Sequence, residues 1–173
     1  KIDRWFLTQI AFITKLEGEI TDFFTAAPPP SPSDNLLQVF EKYLFKLTDV
    51  QIRNWKRSGF GDEQITNLAL KAQNPDQSPL ESSVHQGSLL LRGLRKKLNV
   101  IPVVKKIDTT AAEHPSHSNY MYFTYHGTHH DPLATEHKTK SALILGGGAY
   151  RIGTSVEFDW CAVSCSQTLD ESG

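Results

Sequence analysis

The sequence predicts a mainly α fold, in which a multihelical domain is followed by the first strand, loop and helix of an α/β domain. Through about the first hundred positions, apolar residues recur at three- and four-residue spacing, which is typical of amphipathic helices. Helix-cap patterns precede several of these segments. Near the carboxyl end, a short apolar segment runs into three glycines and then into a helical pattern.

The first two predicted helices are separated by prolines. Asp3 can cap a helix whose apolar stripe is Phe6, Ile10, Ile13, Leu16, Ile20 and Phe24. The proline-rich residues 26–34 predict an exposed loop. Asp34 is then predicted to cap a second helix that carries Leu36, Leu37, Phe40 and Leu44.

Local patterns place the next three helices. Thr48 and Gln51 form a Thr-x-x-Gln capping box. Gly59 suits the position just past the end of that helix, and Asp62 begins another. Ser83 is predicted to cap a longer helix, whose last turns carry Arg92, Arg95, Lys96 and Lys97. Because cations are favourable at helix carboxyl ends, we expect a solvated helix end here rather than a phosphate-binding patch.

After Asn99 the pattern becomes extended. Residues 100–107 and 120–125 are predicted to be extended or strand-like, and residues 126–140 a polar, histidine-rich linker. The predicted organisation is a helical domain over 1–100, a connecting segment packed on it over 101–139, and the start of an α/β domain over 140–173.

The glycine loop follows a predicted strand at Ala142–Leu145. From Gly148 it has the glycines and the hydroxyl of a phosphate-binding loop, but Thr154 stands where the lysine belongs. Arg151 stands where the third glycine of a dinucleotide fingerprint belongs. The loop cation Arg151 and the helix-start anion Glu157 can line a polar passage or pair with each other. A strand–loop–helix turn without a ligand remains open as well.

The histidines and cysteines predict no metal or catalytic centre. His114, His117, His126, His129, His130 and His137 lack the four fixed ligands that a structural zinc site requires, so we expect an exposed polar linker. Cys161 and Cys165 lie four residues apart on one predicted helix face, where a disulfide has poor geometry. We expect reduced, buried thiols and a cytoplasmic location. No catalytic set can be assigned from spacing.

The bulk composition excludes two classes of partner. A net charge of −1 gives no strong field for nucleic acid or anionic lipid. No apolar run approaches the roughly 20 residues of a membrane span, and no signal peptide is recognisable. Met121 is the only methionine, and the predicted strand near the end has no second parallel strand, so we expect a piece of a larger protein.

Several motifs together resemble the large chain of carbamoyl phosphate synthase. Residues 145–159 read Leu-Gly-Gly-Gly-Ala-Tyr-Arg-Ile-Gly-Thr-Ser-Val-Glu-Phe-Asp, similar to the opening of the family's second synthetase half. Residues 102–113, Pro-Val-Val-Lys-Lys-Ile-Asp-Thr-Thr-Ala-Ala-Glu, resemble a second family motif. Residues 2–7 resemble the entry to its helical oligomerisation domain. The Trp-Cys-Ala-Val at 160–163 is similar to the eukaryotic multifunctional pyrimidine-pathway forms.

The resemblance implies a fragment of an ATP-dependent ligase in pyrimidine or arginine biosynthesis. The family forms carbamoyl phosphate from bicarbonate, glutamine-derived ammonia and ATP, with Mg²⁺ or Mn²⁺. This chain would be the oligomerisation and spacer domain plus the start of the pre-ATP-grasp domain, would hold no cofactor, and would be inactive alone. Its implied partners are the remaining synthase domains, the glutaminase and further copies of itself.

The same resemblance assigns one set of site residues. By this resemblance, the residues that would line the interior path carrying carbamate to the second ATP site are Gly146, Gly147, Gly148, Arg151, Gly153 and Glu157. The alternative is a free-standing helical interaction module without enzyme activity, in which the glycine loop is vestigial.

Overall fold

The structure is a computed structural model that describes residues 1–26, 35–115, 121–131, 142–145 and 157–172, with the side chains of the last range described from Trp160 onward. The chain divides into two compact units, Lys1–Pro132 and Leu133–Gly173. The described residues contain six helices and two short strands, which confirms the mainly α fold.

The first unit contains five of these helices and both strands. The helices are α1 (Arg4–Thr25), α2 (Leu36–Leu44), α3 (Asp49–Arg57), α4 (Asp62–Gln73) and α5 (Glu81–Lys97). The strands are β1 (Val103–Lys106) and β2 (Met121–Thr124). The second unit contributes α6 (Glu157–Ser172).

Three of the predicted helix ends are confirmed. The Asp3 carboxylate accepts a hydrogen bond of 2.8 Å from the Trp5 N–H, so it caps α1. Thr48 and Gln51 form both halves of a capping box at the start of α3. Gly59 has a φ of +96°, a left-handed conformation that glycine adopts without a Cβ clash.

Two predicted caps are wrong. Asp34 lies outside the described residues, and the side chain of Asn35 caps α2 by accepting the Leu37 N–H at 3.0 Å. Ser83 is not the cap of α5, because the Leu80 carbonyl already accepts the N–H groups of Ser83 and Val84. The helix therefore begins at Glu81, and no side chain caps it.

The core lies where the second half of α1 packs on α4, while α2 and α4 pack on α5. Only the carboxyl-terminal part of the predicted α1 stripe is buried, namely Leu16, Ile20 and Phe24. The Phe24 and Phe40 rings lie 5.6 Å apart between centroids. The largest fully buried side chains also include Ile52, Ile65, Leu70, Leu91 and Val100.

Both extended segments after α5 contain strands, as predicted. β1 and β2 pair antiparallel, with Val103 opposite Thr124 and Lys106 opposite Met121. Asn99 adopts a φ of 55° just past the end of α5, which lets the chain turn out of the helix toward β1. This turn places β1 directly after the last helix of the bundle.

The second unit differs from its prediction in one described segment. Ala142–Leu145 is not a strand, and its Leu143 and Leu145 side chains are 88% and 87% exposed. A strand requires a hydrogen-bonded neighbour, and none of the described segments pairs with it. None of the helices in the described ranges has the length and apolarity that a membrane crossing requires.

Candidate functional site

The predicted tunnel-lining residues lie largely outside the described part of the chain. Gly146, Gly147, Gly148, Arg151 and Gly153 are all outside it. Glu157 is described only as the first residue of α6. The sequence predicts a helix start near Val156, and the start of α6 at Glu157 confirms it. The roles of the six loop residues stay a prediction.

A cluster of buried charges joins α3, α4 and α5. One oxygen of Asp62 lies 2.9 Å from Lys56 Nζ, and the other lies 2.9 Å from Arg95 Nε. The three side chains are only 8%, 15% and 11% exposed for Lys56, Asp62 and Arg95. The prediction of a wholly solvated basic end of α5 is therefore wrong for Arg95. The spacing of charges along one helix could not show that a carboxylate on another helix faces it.

Tyr125 lies against these cations. Its ring centroid is 5.3 Å from Lys56 Nζ and 6.0 Å from the Arg95 guanidinium carbon, both within the range of cation–π attraction. Burial raises the pKa of the Tyr125 hydroxyl, and the nearby Arg95 charge partly opposes this shift. The ring therefore packs the segment after β2 onto the charged cluster.

The backbone around Tyr125 is also held by α3. Arg57 Nε donates to the Tyr125 carbonyl at 3.1 Å. His126 Nε2 lies 3.0 Å from the Arg57 carbonyl, a hydrogen bond in which the imidazole is the donor. These two contacts and the stacked ring attach the connecting segment to the helical bundle at one point.

Asp131 fixes the start of the predicted linker to β1. Its carboxylate accepts a 2.7 Å bond from Lys105 Nζ and a 2.9 Å bond from the Lys106 N–H, and its own N–H donates to the Val104 carbonyl. His130 Nδ1 accepts the Val104 N–H at 3.0 Å. The Lys105 and Lys106 donors hold the pKa of Asp131 below its usual range.

The prediction of an exposed polar linker is confirmed for His126, His129 and His130, which are exposed. Residues 126–131 also hydrogen-bond to α3 and β1, which the composition did not predict. His130 and Asp131 hydrogen-bond to Val104 and Lys106 of β1, so the chain here runs beside the strand. His129 contacts two neighbours, with its Nε2 3.4 Å from Lys105 Nζ and its Nδ1 3.2 Å from the Thr128 hydroxyl. Such pairings depend on the register of β1, which the sequence pattern of the linker does not encode.

The family motif at 102–113 contains a tight carboxylate turn. Asp108 accepts from the Thr110 N–H at 2.9 Å, from the Thr110 hydroxyl at 2.9 Å and from the Ala112 N–H at 2.6 Å. These donors hold the pKa of Asp108 below its usual range. Ala111 and Ala112 have φ values of 50° and 61°, a left-handed backbone that alanine rarely adopts. The Asp108 bonds stabilise this conformation.

The two cysteines are free thiols on α6, as predicted, but both are exposed. The expectation of buried packing is wrong in this structure, since Trp160 beside them is also 69% exposed. Within the described ranges, no three His, Cys, Asp or Glu side chains converge as a metal site would require. The hydrogen bonds and ion pairs of the charged cluster, of Tyr125 and of Asp131 hold separate segments of the chain together.

A large apolar surface covers the first half of α1. We call this surface the apolar half of α1. Its side chains are between 45% and 62% exposed and are those of Trp5, Phe6, Leu7, Ile10, Phe12 and Ile13. At about 100° per residue they spread over more than half of the helix circumference. A helix that is apolar on so many sides is normally buried. Sequence periodicity placed three of these residues on the apolar stripe of α1, but it could not show that they stay exposed among the residues that the structure describes.

The comparisons with known proteins agree with these features. Residues 138–173 match the family model described as the carbamoyl phosphate synthase preATP-grasp domain. Over all 173 residues, the chain is 38% identical to a carbamoyl phosphate synthase arginine-specific large chain, mitochondrial, of Schizosaccharomyces pombe. It is 39% identical to multifunctional protein pyr1-3 of Dictyostelium discoideum and 35% identical to multifunctional protein CAD of Squalus acanthias, again over 173 residues.

These matches define the class first: a helical unit that leads into a preATP-grasp domain. The chain belongs to the carbamoyl phosphate synthase large-chain family and corresponds to a segment of such chains. It spans 12% of the length of the fission yeast large chain and 6% of each of the two multifunctional proteins. The similarity covers the helical unit as well as the glycine loop.

Proposed function

We propose that this chain is the association and spacer segment of a carbamoyl phosphate synthase large chain, together with the opening of its second ATP-consuming half. The synthase forms carbamoyl phosphate from bicarbonate and glutamine-derived ammonia, and its ATP and Mg²⁺ or Mn²⁺ are held by other parts of the large chain. The segment itself carries out no reaction. Support comes from the similarity over the whole chain and from the preATP-grasp match at residues 138–173.

The apolar half of α1 is the observation that carries this proposal. Fully burying a Phe or Ile side chain contributes about 1.5–3 kcal/mol relative to leaving it exposed. Six such side chains face outward on α1, whereas Leu16, Ile20 and Phe24 of the same helix are buried in the bundle. The second half of α1 is thus packed in the helical bundle, and the first half presents an apolar surface that a neighbouring domain can cover.

The neighbour is another domain of the same large chain. A partner that covers more than half of the circumference of a helix must have a concave surface or must contact the helix from two sides. The relatives are far longer than this segment, so a covalently connected domain is present at high effective concentration. A spacer that docks on its neighbours by a buried helix fixes the distance between the two synthetase halves.

The experiment compares the isolated 173-residue chain with a complete large chain in which this segment replaces the corresponding one. Phe6→Glu with Ile10→Glu should leave the melting temperature of the 173-residue chain unchanged or higher, because both side chains are exposed there. In the complete chain, the same pair should lower the melting temperature and carbamoyl phosphate synthesis. Gln9→Glu, at an exposed polar position of α1, is the control. Unchanged stability and synthesis in the complete double variant would overturn the proposal.

The proposed absence of catalysis has a direct test. The purified 173-residue chain should hydrolyse no ATP with Mg²⁺ or Mn²⁺ above a heat-treated control. ATP turnover by the chain alone would contradict the spacer role.

The glycine loop has a separate proposed role, based on the family resemblance. Gly146, Gly147, Gly148, Arg151, Gly153 and Glu157 would line the carbamate path, where one charge of each sign suits a labile anion in a solvated passage. In the complete synthase, Arg151→Ala should lower the yield of carbamoyl phosphate per ATP consumed, while Arg151→Lys should retain part of it. A normal yield in the alanine variant would remove this role.

The partners and compartment complete the proposal. Other copies of this chain are expected to associate through the helical domain, and the glutaminase supplies ammonia to the same synthase. A cytoplasmic location fits the two exposed, free thiols of α6, because such thiols persist in reducing compartments. The fission yeast relative is mitochondrial by name, so fractionation of tagged protein decides between these compartments.

A further inference from the structure

We propose that a groove between α1 and α3 binds a small organic anion that carries an aromatic ring. The inference goes beyond the proposed spacer role, which involves no small ligand. The groove has a volume of about 480 Å³, within the range of small-molecule sites. The lining residues that matter here are Glu19, Phe23, Val50, Arg53, Trp55 and Arg57.

One wall of the groove is aromatic. The Phe23 and Trp55 rings meet edge to face, with centroids 6.1 Å apart and an angle of 72° between their planes. Trp55 is only 4% exposed and Phe23 packs against the core, so both rings are held in place by the bundle. Val50, which is 70% exposed, adds apolar area to the lining. This wall suits the ring of a ligand, because aromatic pairs attract each other beyond the effect of the area that they bury.

Two cations of α3 line the same groove. Arg53 and Arg57 are four residues apart, so their side chains are neighbours on one face of the helix. Arg53 Nη2 donates to the Asn99 carbonyl at 3.3 Å, and Arg57 Nε donates to the Tyr125 carbonyl at 3.1 Å. These bonds orient both guanidinium groups before a ligand arrives, which reduces the entropy that binding costs.

Both arginines keep donors for a ligand. A guanidinium has five N–H donors, and each of these two uses one of them among the described residues. Neither side chain forms an ion pair within the described ranges. Glu19, the acidic member of the lining, lies 3.8 Å from Lys15 Nζ, which offsets its charge. The lining therefore has an excess of positive charge, and its forked donors match a carboxylate or a phosphate.

The extent of the site favours a small molecule over a polyanion. Two adjacent arginines can engage one anionic group, and the wall beside them accommodates one ring. The whole chain has a net charge of −1, so it provides no strong field for a nucleic acid. The ligand class is therefore an aromatic carboxylate or an aromatic phosphate.

A matched pair of small probes tests the site. The probe is 3-phenylpropionate, and its neutral control is 3-phenylpropanamide, which has the same ring and chain. Nuclear magnetic resonance titration of the 173-residue chain follows the Nε–H signals of Arg53 and Arg57 and the indole N–H of Trp55. The acid should shift these signals with a dissociation constant of roughly 1–10 mM, as expected for so small a ligand. The amide should bind at least about tenfold more weakly, because it lacks the negative charge that the arginines attract.

Phenyl phosphate distinguishes the two anionic groups. It should shift the same three signals, since its phosphate also matches guanidinium donors. Tighter binding than that of 3-phenylpropionate assigns the site to phosphates, and weaker binding assigns it to carboxylates.

A substitution at the exposed Val50 tests the site with little risk to the fold. Val50→Glu places a carboxylate three residues before Arg53, where it can pair with that arginine and repel an anion. An acidic residue is also favourable in the first turn of α3. The variant should therefore weaken binding of 3-phenylpropionate by roughly tenfold at an unchanged melting temperature. Val50→Gln, which is similar in size and uncharged, is the control and should stay within about twofold of the unaltered chain.

The arginines provide a second arm. Arg53→Gln should weaken binding of the acid by roughly tenfold and leave binding of the amide unchanged. Arg92→Gln, at an exposed position of α5 outside the groove, should change neither.

Three results overturn the inference. The first is equal affinity for the acid and the amide, and the second is unchanged affinity in Val50→Glu. The third is a probe that shifts the Trp5 indole signal instead of the Trp55 signal, which would place binding on the apolar half of α1. None of these results bears on the docking of α1, because the groove variants leave that surface unaltered.

Discussion

Arg95 Nε lies 2.9 Å from Asp62 Oδ2, although the two residues are 33 positions apart in the chain. The other Asp62 oxygen binds Lys56 at the same distance. One carboxylate at the start of α4 thus neutralises a cation from the end of α3 and another from the end of α5. The Arg95 guanidinium also donates to the Val100 carbonyl at 3.4 Å, so the cluster reaches the chain that leads to β1.

Asp62→Asn should lower the free energy of unfolding by about 3 kcal/mol, because it leaves two largely buried cations without their shared anion. Urea titration of the folded chain measures this loss. Glu19→Gln removes the partner of the exposed Lys15–Glu19 pair, at 3.8 Å, and should cost about 0.5 kcal/mol or less. Equal effects of the two substitutions would show that the Asp62 cluster does not stabilise the bundle.

Asp131 makes stability depend on pH in the acidic range. The pKa of Asp131 is below its usual range in the folded chain. The carboxylate therefore contributes stability that is fully present above the ordinary aspartate pKa of about 4. This stability is lost as the pH falls through the lower pKa of the folded state. Asp131→Asn should flatten this acidic limb in a plot of unfolding free energy against pH. Asp76→Asn, in the exposed loop after α4, serves as the control. An unchanged limb in the Asp131 variant would contradict the assignment.

Gly87 allows α5 to approach its neighbours closely. A Cβ there would lie 2.5 Å from Thr66 Cγ2 and 3.2 Å from Phe40 Cε1. Gly87→Ala should therefore destabilise the chain by about 1–3 kcal/mol, despite the better helix propensity of alanine. Gly18→Ala meets open space and should instead stabilise by up to about 1 kcal/mol. Thermal unfolding of both variants shows whether the signs are opposite.

Gly59 provides the left-handed residue after α3. With a φ of +96°, Gly59→Ala should cost about 1 kcal/mol through backbone strain, although a Cβ would find space. Gly59→Asn should cost less, because asparagine tolerates left-handed conformations better than alanine. Chemical denaturation compares the two. An alanine variant as stable as the unaltered chain would show that the turn relaxes.

The sequence predicts the end of a helix correctly where a single local feature, such as a capping box, determines it. The capping box at Thr48 and Gln51 and the glycine past α3 depend on residues within one turn, so their positions were predictable. The start of α5 was not, because Leu80 begins the helix through backbone hydrogen bonds alone. The family was also evident in motifs spread along the chain, and the comparisons confirm it.

The candidate site divides in the same way. The glycine-loop residues were selected by motif, and their roles remain a prediction. The contacts of Tyr125 and Asp131 were not foreseen, because each joins segments that are remote in sequence. A polar linker composition is compatible both with free chain and with an ordered return along a strand.

The sequence by itself determined the helical character of the chain, because helix periodicity and caps are properties of neighbouring residues, and its motifs resemble those of carbamoyl phosphate synthase large chains. Only the tertiary structure decided which charges are buried together and which apolar residues remain outside. Phe6 and Phe24 occupy equivalent positions in the same stripe of α1, yet Phe6 is 57% exposed and Phe24 is fully buried. Burial depends on what packs against a side chain, and the rest of the fold places that neighbour.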